Sequence, residues 1–196
     1  MNKFFSQFLL TTTIVSTFFI GEVKAQEINK NQSSITYSAG GFASAIINKP
    51  TDFAFKVLTN VKLWPTINKG VTQSIKPENI ELKVGSVFFE TISSPIPGIS
   101  DWTNQWKVEE LVPSKKMVIS GIDNFTKATI KSRLTYIFTE KENNTTLFER
   151  KIEVNIDENF VKQASKQELE ALYRFLGSQW EMAEHLKKFV EHYQTK

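Results

Sequence analysis

The chain has 196 residues, with 24 Lys and Arg against 21 Asp and Glu and a formal net charge of +3, enough for one domain and without the basic excess that nucleic acid requires. At 40% hydrophobic, 12% aromatic and 23% charged residues it can bury a core, which excludes a disordered or fibrous chain. It has no cysteine and only two histidines, so disulfides, thiol nucleophiles, thiolate zinc sites and His-rich metal centres are excluded, and neither metal nor cofactor is expected.

Met1-Asn2-Lys3 precedes a mostly apolar stretch from Phe4 to Gly21, followed by Val23-Lys24-Ala25, whose small residues suit signal-peptidase cleavage before Gln26. Ser6, Gln7, Thr11, Thr12, Thr13, Ser16 and Thr17 interrupt the stretch, which favours a cleaved signal peptide over residues 1–25 against a retained membrane anchor. Export of a cysteine-free chain fits a bacterial periplasm or secreted fluid. Residues 26–34 are polar apart from Ile28 and read as a flexible leader, leaving residues 35–196 as a single domain.

Within that domain, Ser44 to Asn48 reads as a short strand. Lys49-Pro50-Thr51-Asp52 then opens a helix in which Phe53, Val57, Leu58 and Val61 share a face, and Trp64-Pro65 is expected to stop it. Six β-like runs follow, at Val71–Ile75, Ser86–Ile92, Trp102–Leu111, Lys116–Ile122, Lys127–Thr139 and Thr145–Ile156, with connections short enough for an antiparallel meander. Ser93 to Asp101, with Pro95, Pro97 and Gly98, cannot be strand and reads as a stiff loop at the mouth of any cavity, while Glu140 to Asn144 carries hairpin-turn residues. Ser165 and Glu168 form a capping box. Leu169, Leu172, Leu176, Trp180, Ala183, Leu186, Val190 and Tyr193 then recur at spacings of three or four, predicting one long helix of about 28 residues, roughly 42 Å.

This order is α+β, with helices on one face of a sheet. It resembles the START-like (SRPBCC) superfamily, in particular its polyketide cyclase/dehydrase and lipid-transfer branch. The likeness rests on Ile46-Ile47-Asn48-Lys49-Pro50 before Phe53 to Leu58, on Leu63-Trp64-Pro65, on Leu82-Lys83-Val84-Gly85, and on Trp106-Lys107-Val108-Glu109-Glu110-Leu111-Val112-Pro113, and it spans about residues 42 to 194. The resemblance implies a helix-grip fold: a curved antiparallel sheet wrapped around a long C-terminal helix, with two short helices after the first strand and an apolar cavity between sheet and helix. It also implies a hydrophobic small-molecule ligand, of lipid, isoprenoid or polyketide-like kind. Binding or transfer is the first expectation and a cyclase/dehydrase-type enzyme the alternative. The superfamily shares no catalytic motif, so no catalytic residue is carried over. We expect a monomer that touches a membrane only transiently.

Strand alternation assigns faces independently of any family. Ile130, Leu134, Tyr136 and Phe138 share one face, and Phe148, Ile152, Val154 and Ile156 share another, on which Arg150 also falls. A charge there must reach the rim, meet a buried carboxylate, or await an anionic ligand group. Trp102, Asn104, Trp106 and Val108 form a stripe that is either core or a pocket wall with Asn104 as an orienting hydrogen-bonder. Leu172, Leu176 and Trp180 would meet them from the helix. The candidate ligand-binding set is therefore Trp102, Asn104, Trp106, Tyr136, Phe138, Phe148, Arg150, Leu172, Leu176 and Trp180. His185 and His192, seven residues apart, read as part of a solvated helix face, and Glu149 and Glu153 point outward.

Overall fold

The computed structural model describes residues 36–94, 100–123 and 130–194; the expected signal peptide and leader lie outside them. Seven strands form one antiparallel sheet: β1 (Thr36–Ile47), β2 (Thr72–Lys76), β3 (Val87–Ile92), β4 (Trp102–Val112), β5 (Lys116–Asp123), β6 (Ile130–Lys141) and β7 (Thr145–Asp157). Their order is β1-β7-β6-β5-β4-β3-β2, a meander closed by β1 returning beside β7. The helices are α1 (Thr51–Leu58), α2 (Trp64–Ile67), α3 (Glu158–Gln163), α4 (Lys166–Gly177) and α5 (Gln179–His192). α5 packs on β1 and β7 and meets α1.

β1 runs longer than its sequence suggests, pairing along its whole length with β7 from Thr36 opposite Asp157 to Ile47 opposite Thr146. Gly40 and Gly41 mask the strand pattern because they add no side chain to the alternation. The hairpin at residues 142–144 uses the expected asparagines, with Asn143 and Asn144 at φ of 60° and 57°, the left-handed region that asparagine tolerates.

Two expectations about helices are corrected. α1 ends at Leu58, where Thr59 donates from its backbone N–H and from Oγ1 to the Phe55 carbonyl, and Trp64-Pro65 begins α2 instead of stopping α1. Proline suits a first helical turn because its missing N–H has no partner there anyway. The Trp64 indole reaches back to donate to the Leu58 carbonyl at 3.2 Å.

The C-terminal segment is two helices, not one. The capping box at Ser165 forms as expected, with Ser165 N–H donating to Glu168 Oε2 at 2.6 Å and Glu168 N–H to Ser165 Oγ at 3.2 Å. The chain then breaks at Ser178. Ser178 Oγ and Gln179 Nε2 both donate to the Phe175 carbonyl, at 3.1 and 2.6 Å, satisfying an acceptor that the break releases. The break is seated on β1: a Cβ on Gly41 would lie 2.3 Å from the Leu176 carbonyl oxygen and 2.6 Å from Gln179 Cγ. Beyond it the inner stripe runs through Gln179, Ala183, Leu186 and Val190, all buried.

Candidate functional site

Arg150 lies on the inner face, as alternation requires, and is only 6% exposed, which removes the rim from the three alternatives for its charge. Its cross-strand partner is Tyr136, whose hydroxyl accepts a hydrogen bond from the guanidinium. Nε and Nη1 of Arg150 have no hydrogen-bond partner, and the guanidinium makes no ion pair with a described carboxylate. Burial raises the proton affinity of the Tyr136 hydroxyl, which the Arg150 charge and hydrogen bond oppose, so the phenol stays neutral.

The other buried charged group among the described residues is Glu90, 5% exposed. It stands opposite Asn104 in the β3–β4 ladder, and both of its oxygens accept hydrogen bonds: Oε1 from Thr72 Oγ1 at 2.5 Å, and Oε2 from Trp106 Nε1 at 2.8 Å. Asn68 Nδ2 in turn donates to Thr72 Oγ1 at 3.3 Å, which fixes the direction of that chain. Burial pushes the Glu90 carboxyl above the usual carboxylate range, against the opposing pull of the Thr72 and Trp106 hydrogen bonds and the Arg150 charge. Glu90 and Arg150 thus share a field across the inner face without touching. Asn104, 4% exposed, leaves its Oδ1 without a partner beside Glu90.

Trp106 is placed by a missing side chain. It pairs with Gly121 of β5, and a Cβ there would lie 2.5 Å from the indole Cζ3, so the ring lies against the glycine backbone with its Nε1 toward Glu90.

The remaining candidates divide. Phe138 and Phe148 are buried with ring centroids 5.3 Å apart, and Phe55 of α1 stands 5.3 Å from Phe138, so this end of the inner face is packed aromatic core. Tyr136 stands 5.2 Å from Phe148 and joins that core to Arg150. Leu176 is buried, while Trp102 and Leu172 are half-buried against the same cluster. Trp180 is 62% exposed, which corrects the expectation that it faces inward: the break at Ser178 rotates the stripe so that Gln179 takes the inner position. The expected loop at Ser93–Asp101 lies mostly outside the described residues. At its ends, Asp101 accepts from the Ser94 N–H at 2.8 Å and from Gln73 Nε2 at 2.6 Å. His185 does more than face solvent, since its Nε2–H donates to the Ile67 carbonyl at 2.5 Å and ties α5 to α2.

Sequence reasoning missed Glu90. Phe88, Glu90 and Ile92 share a parity, but Val87 and Phe89 are apolar too, so the strand alone does not reveal its inner face. A separate surface cleft of about 550 Å³ at the β4–β5 turn is bordered by Thr51, Lys115, Lys116 and Phe138 and has no buried polar group in need of a partner. Among the described residues no group of three or more acidic or histidine side chains could hold a metal ion.

No protein-family model and no curated sequence matches the chain. Solved structures do. A protein from Rhizobium loti, Mll3558, superposes with a TM-score of 0.58 at 14% identity, over 79% of this chain and 98% of its own. Norcoclaurine synthase from Thalictrum flavum, solved with dopamine and hydroxybenzaldehyde, superposes at 0.57 with 15% identity over 88% of this chain and 100% of its own. The Zhui aromatase/cyclase from Streptomyces sp. R1128 superposes at 0.55 with 13% identity over 79% and 94%. These are helix-grip proteins, and the chain has their fold.

Proposed function

We propose that this helix-grip chain binds a hydrophobic small molecule, of lipid, isoprenoid or polyketide-like kind, between the inner face of the sheet and its C-terminal helices, with Arg150 receiving an oxygen of the ligand. One observation carries the reading: a buried guanidinium with two unpartnered nitrogens on a face otherwise lined by Trp106, Tyr136 and Leu176. A buried cation without a counter-ion in contact is costly, and ligand oxygens accepting from Nε and from Nη1 would offset that cost. Mass spectrometry of an organic extract of the purified protein tests the proposal. A co-purifying hydrophobic compound is expected; an empty protein that also takes up no hydrophobic probe would overturn it.

Export belongs to the same proposal, because the first 25 residues have the composition of a signal peptide. Purified native protein should begin at Gln26 and need no detergent, and a Met1 terminus on membrane-embedded material would reject that. A cyclase-type enzyme working in the same space is the second reading, and Glu90 favours it: a carboxyl whose burial raises its proton affinity can hold or accept a proton inside the site. Two of the solved relatives are described as a synthase and an aromatase/cyclase.

A further inference from the structure

We propose that the site reads two ends of its ligand, taking a hydrophobic molecule that carries an oxygen acceptor for Arg150 and, at the other end, a hydroxyl that donates to Glu90 beside Asn104. The proposal rests on the reading of Arg150 given above and adds the second pole. Of the buried side-chain atoms that lack a partner among the described residues, the donors are Nε and Nη1 of Arg150, and the acceptors are Oδ1 of Asn104, Oδ1 of Asn68 and Oε1 of Gln179. On β7, Arg150 offers two donors with no acceptor. On β3 and β4, directly opposite one another, Glu90 and Asn104 offer acceptors: Asn104 Oδ1 has no donor, and each Glu90 oxygen, having accepted one hydrogen bond, retains a lone pair.

The two poles are near enough for the Arg150 charge to act on Glu90, yet they make no ion pair with each other. Had the fold only needed to neutralise two buried charges, contact between them would serve best. Each is instead held by neighbours of its own, Glu90 by Thr72 and Trp106 and Arg150 by Tyr136. A neutral O–H suits the Glu90 pole better than a cation. Two neutral donors and the Arg150 field offset part of that carboxylate's charge, and each oxygen keeps one lone pair, which an O–H fills. A site with buried acceptors discriminates strongly against an analogue that lacks the donor, because binding would strip those acceptors of water and give nothing in return.

Cinnamic acid, 4-hydroxycinnamic acid and 4-methoxycinnamic acid test this on the full-length protein by calorimetric titration. The three share a carboxylate and an aromatic body and differ only in the donor. The wild type is expected to bind the hydroxy acid about ten- to a hundredfold more tightly than the other two, the range of one hydrogen bond to a charged group. Glu90→Gln should bring that ratio to within about threefold, leaving cinnamic acid affinity nearly unchanged, and Arg150→Met should weaken all three acids while keeping the ratio. Equal affinity of the wild type for the three acids, or a ratio that persists in Glu90→Gln, overturns the second pole and leaves Arg150 standing. Failure of all three acids to bind overturns the Arg150 reading and this proposal with it. Should Glu90→Gln not fold, the comparison of the hydroxy and methoxy acids on the wild type decides alone.

Discussion

The indole of Trp106 occupies the space that a side chain at Gly121 would take and from there donates to Glu90 Oε2 at 2.8 Å. The two residues are cross-strand partners in β4 and β5, so a glycine on one strand sets the direction of a hydrogen bond made by the next. Gly121→Ala would put a methyl group 2.5 Å from the ring and displace it. We expect a loss of about 1–3 kcal/mol in urea unfolding, the ordinary cost of overpacking, together with a shifted Trp emission maximum. An alanine variant with wild-type stability and emission would show that the indole is not held there.

Arg150→Met should weaken carboxylate-bearing hydrophobic ligands by about 1.5–3 kcal/mol, the range for a hydrogen bond to a charged group, and leave neutral ones nearly unaffected. Titration of matched acids and alcohols checks this, and an equal loss for both classes would make Arg150 a structural residue.

Glu90 should make stability depend on pH. Its folded-state proton affinity is raised by burial, so the folded chain binds a proton more readily than the unfolded one between the ordinary value of 4.5 and the raised value. The stabilisation by protonation is therefore fully present below the unfolded value and is lost as pH rises through the folded one. Glu90→Gln never ionises and sets an amide NH2 against Thr72 or Trp106 at a cost that does not vary with pH, so its stability relative to wild type should be more favourable at neutral pH than near the ordinary carboxylate value of 4.5. Parallel melting curves for the two proteins at all pH values would contradict this.

The helix break makes opposite predictions for two neighbouring apolar residues. Leu176→Ala should cost roughly 2–5 kcal/mol, as buried leucines do, whereas Trp180→Gln should stay within about 0.5 kcal/mol of wild type because Trp180 is largely solvated. Acrylamide should quench Trp180 and barely reach Trp106. A large loss of stability in Trp180→Gln would restore the single straight helix.

Truncation before Ser165 removes the buried side chains Leu176, Ala183, Leu186 and Val190 from the inner face. Each large apolar side chain buried is worth about 1.5–3 kcal/mol, so their joint loss approaches the roughly 5–15 kcal/mol that holds a domain together. The truncated chain should aggregate or lose its cooperative melt, as light scattering and near-UV circular dichroism would report.

Where a strand alternates cleanly, the sequence determined its face. In β6 one parity carries Ile130, Leu134, Tyr136 and Phe138 and in β7 one parity carries Phe148, Ile152, Val154 and Ile156, so the pleat puts Arg150 on an apolar face before any pairing is known, while its pairing with Tyr136 comes from the sheet. The capping box at Ser165, the asparagine hairpin and the strand succession were legible for the same reason: each depends on residues close in sequence. The tertiary structure decided the rest. Glu90 sits in a strand whose two faces are both apolar in sequence, and only its pairing with Asn104 and the hydrogen bonds from Thr72 and Trp106 show which face is inner. The helix likewise has unbroken periodicity through Trp180. What breaks it is the close approach of Leu176 and Gln179 to Gly41, a residue more than 130 positions earlier, and a local pattern carries no information about a contact of that range.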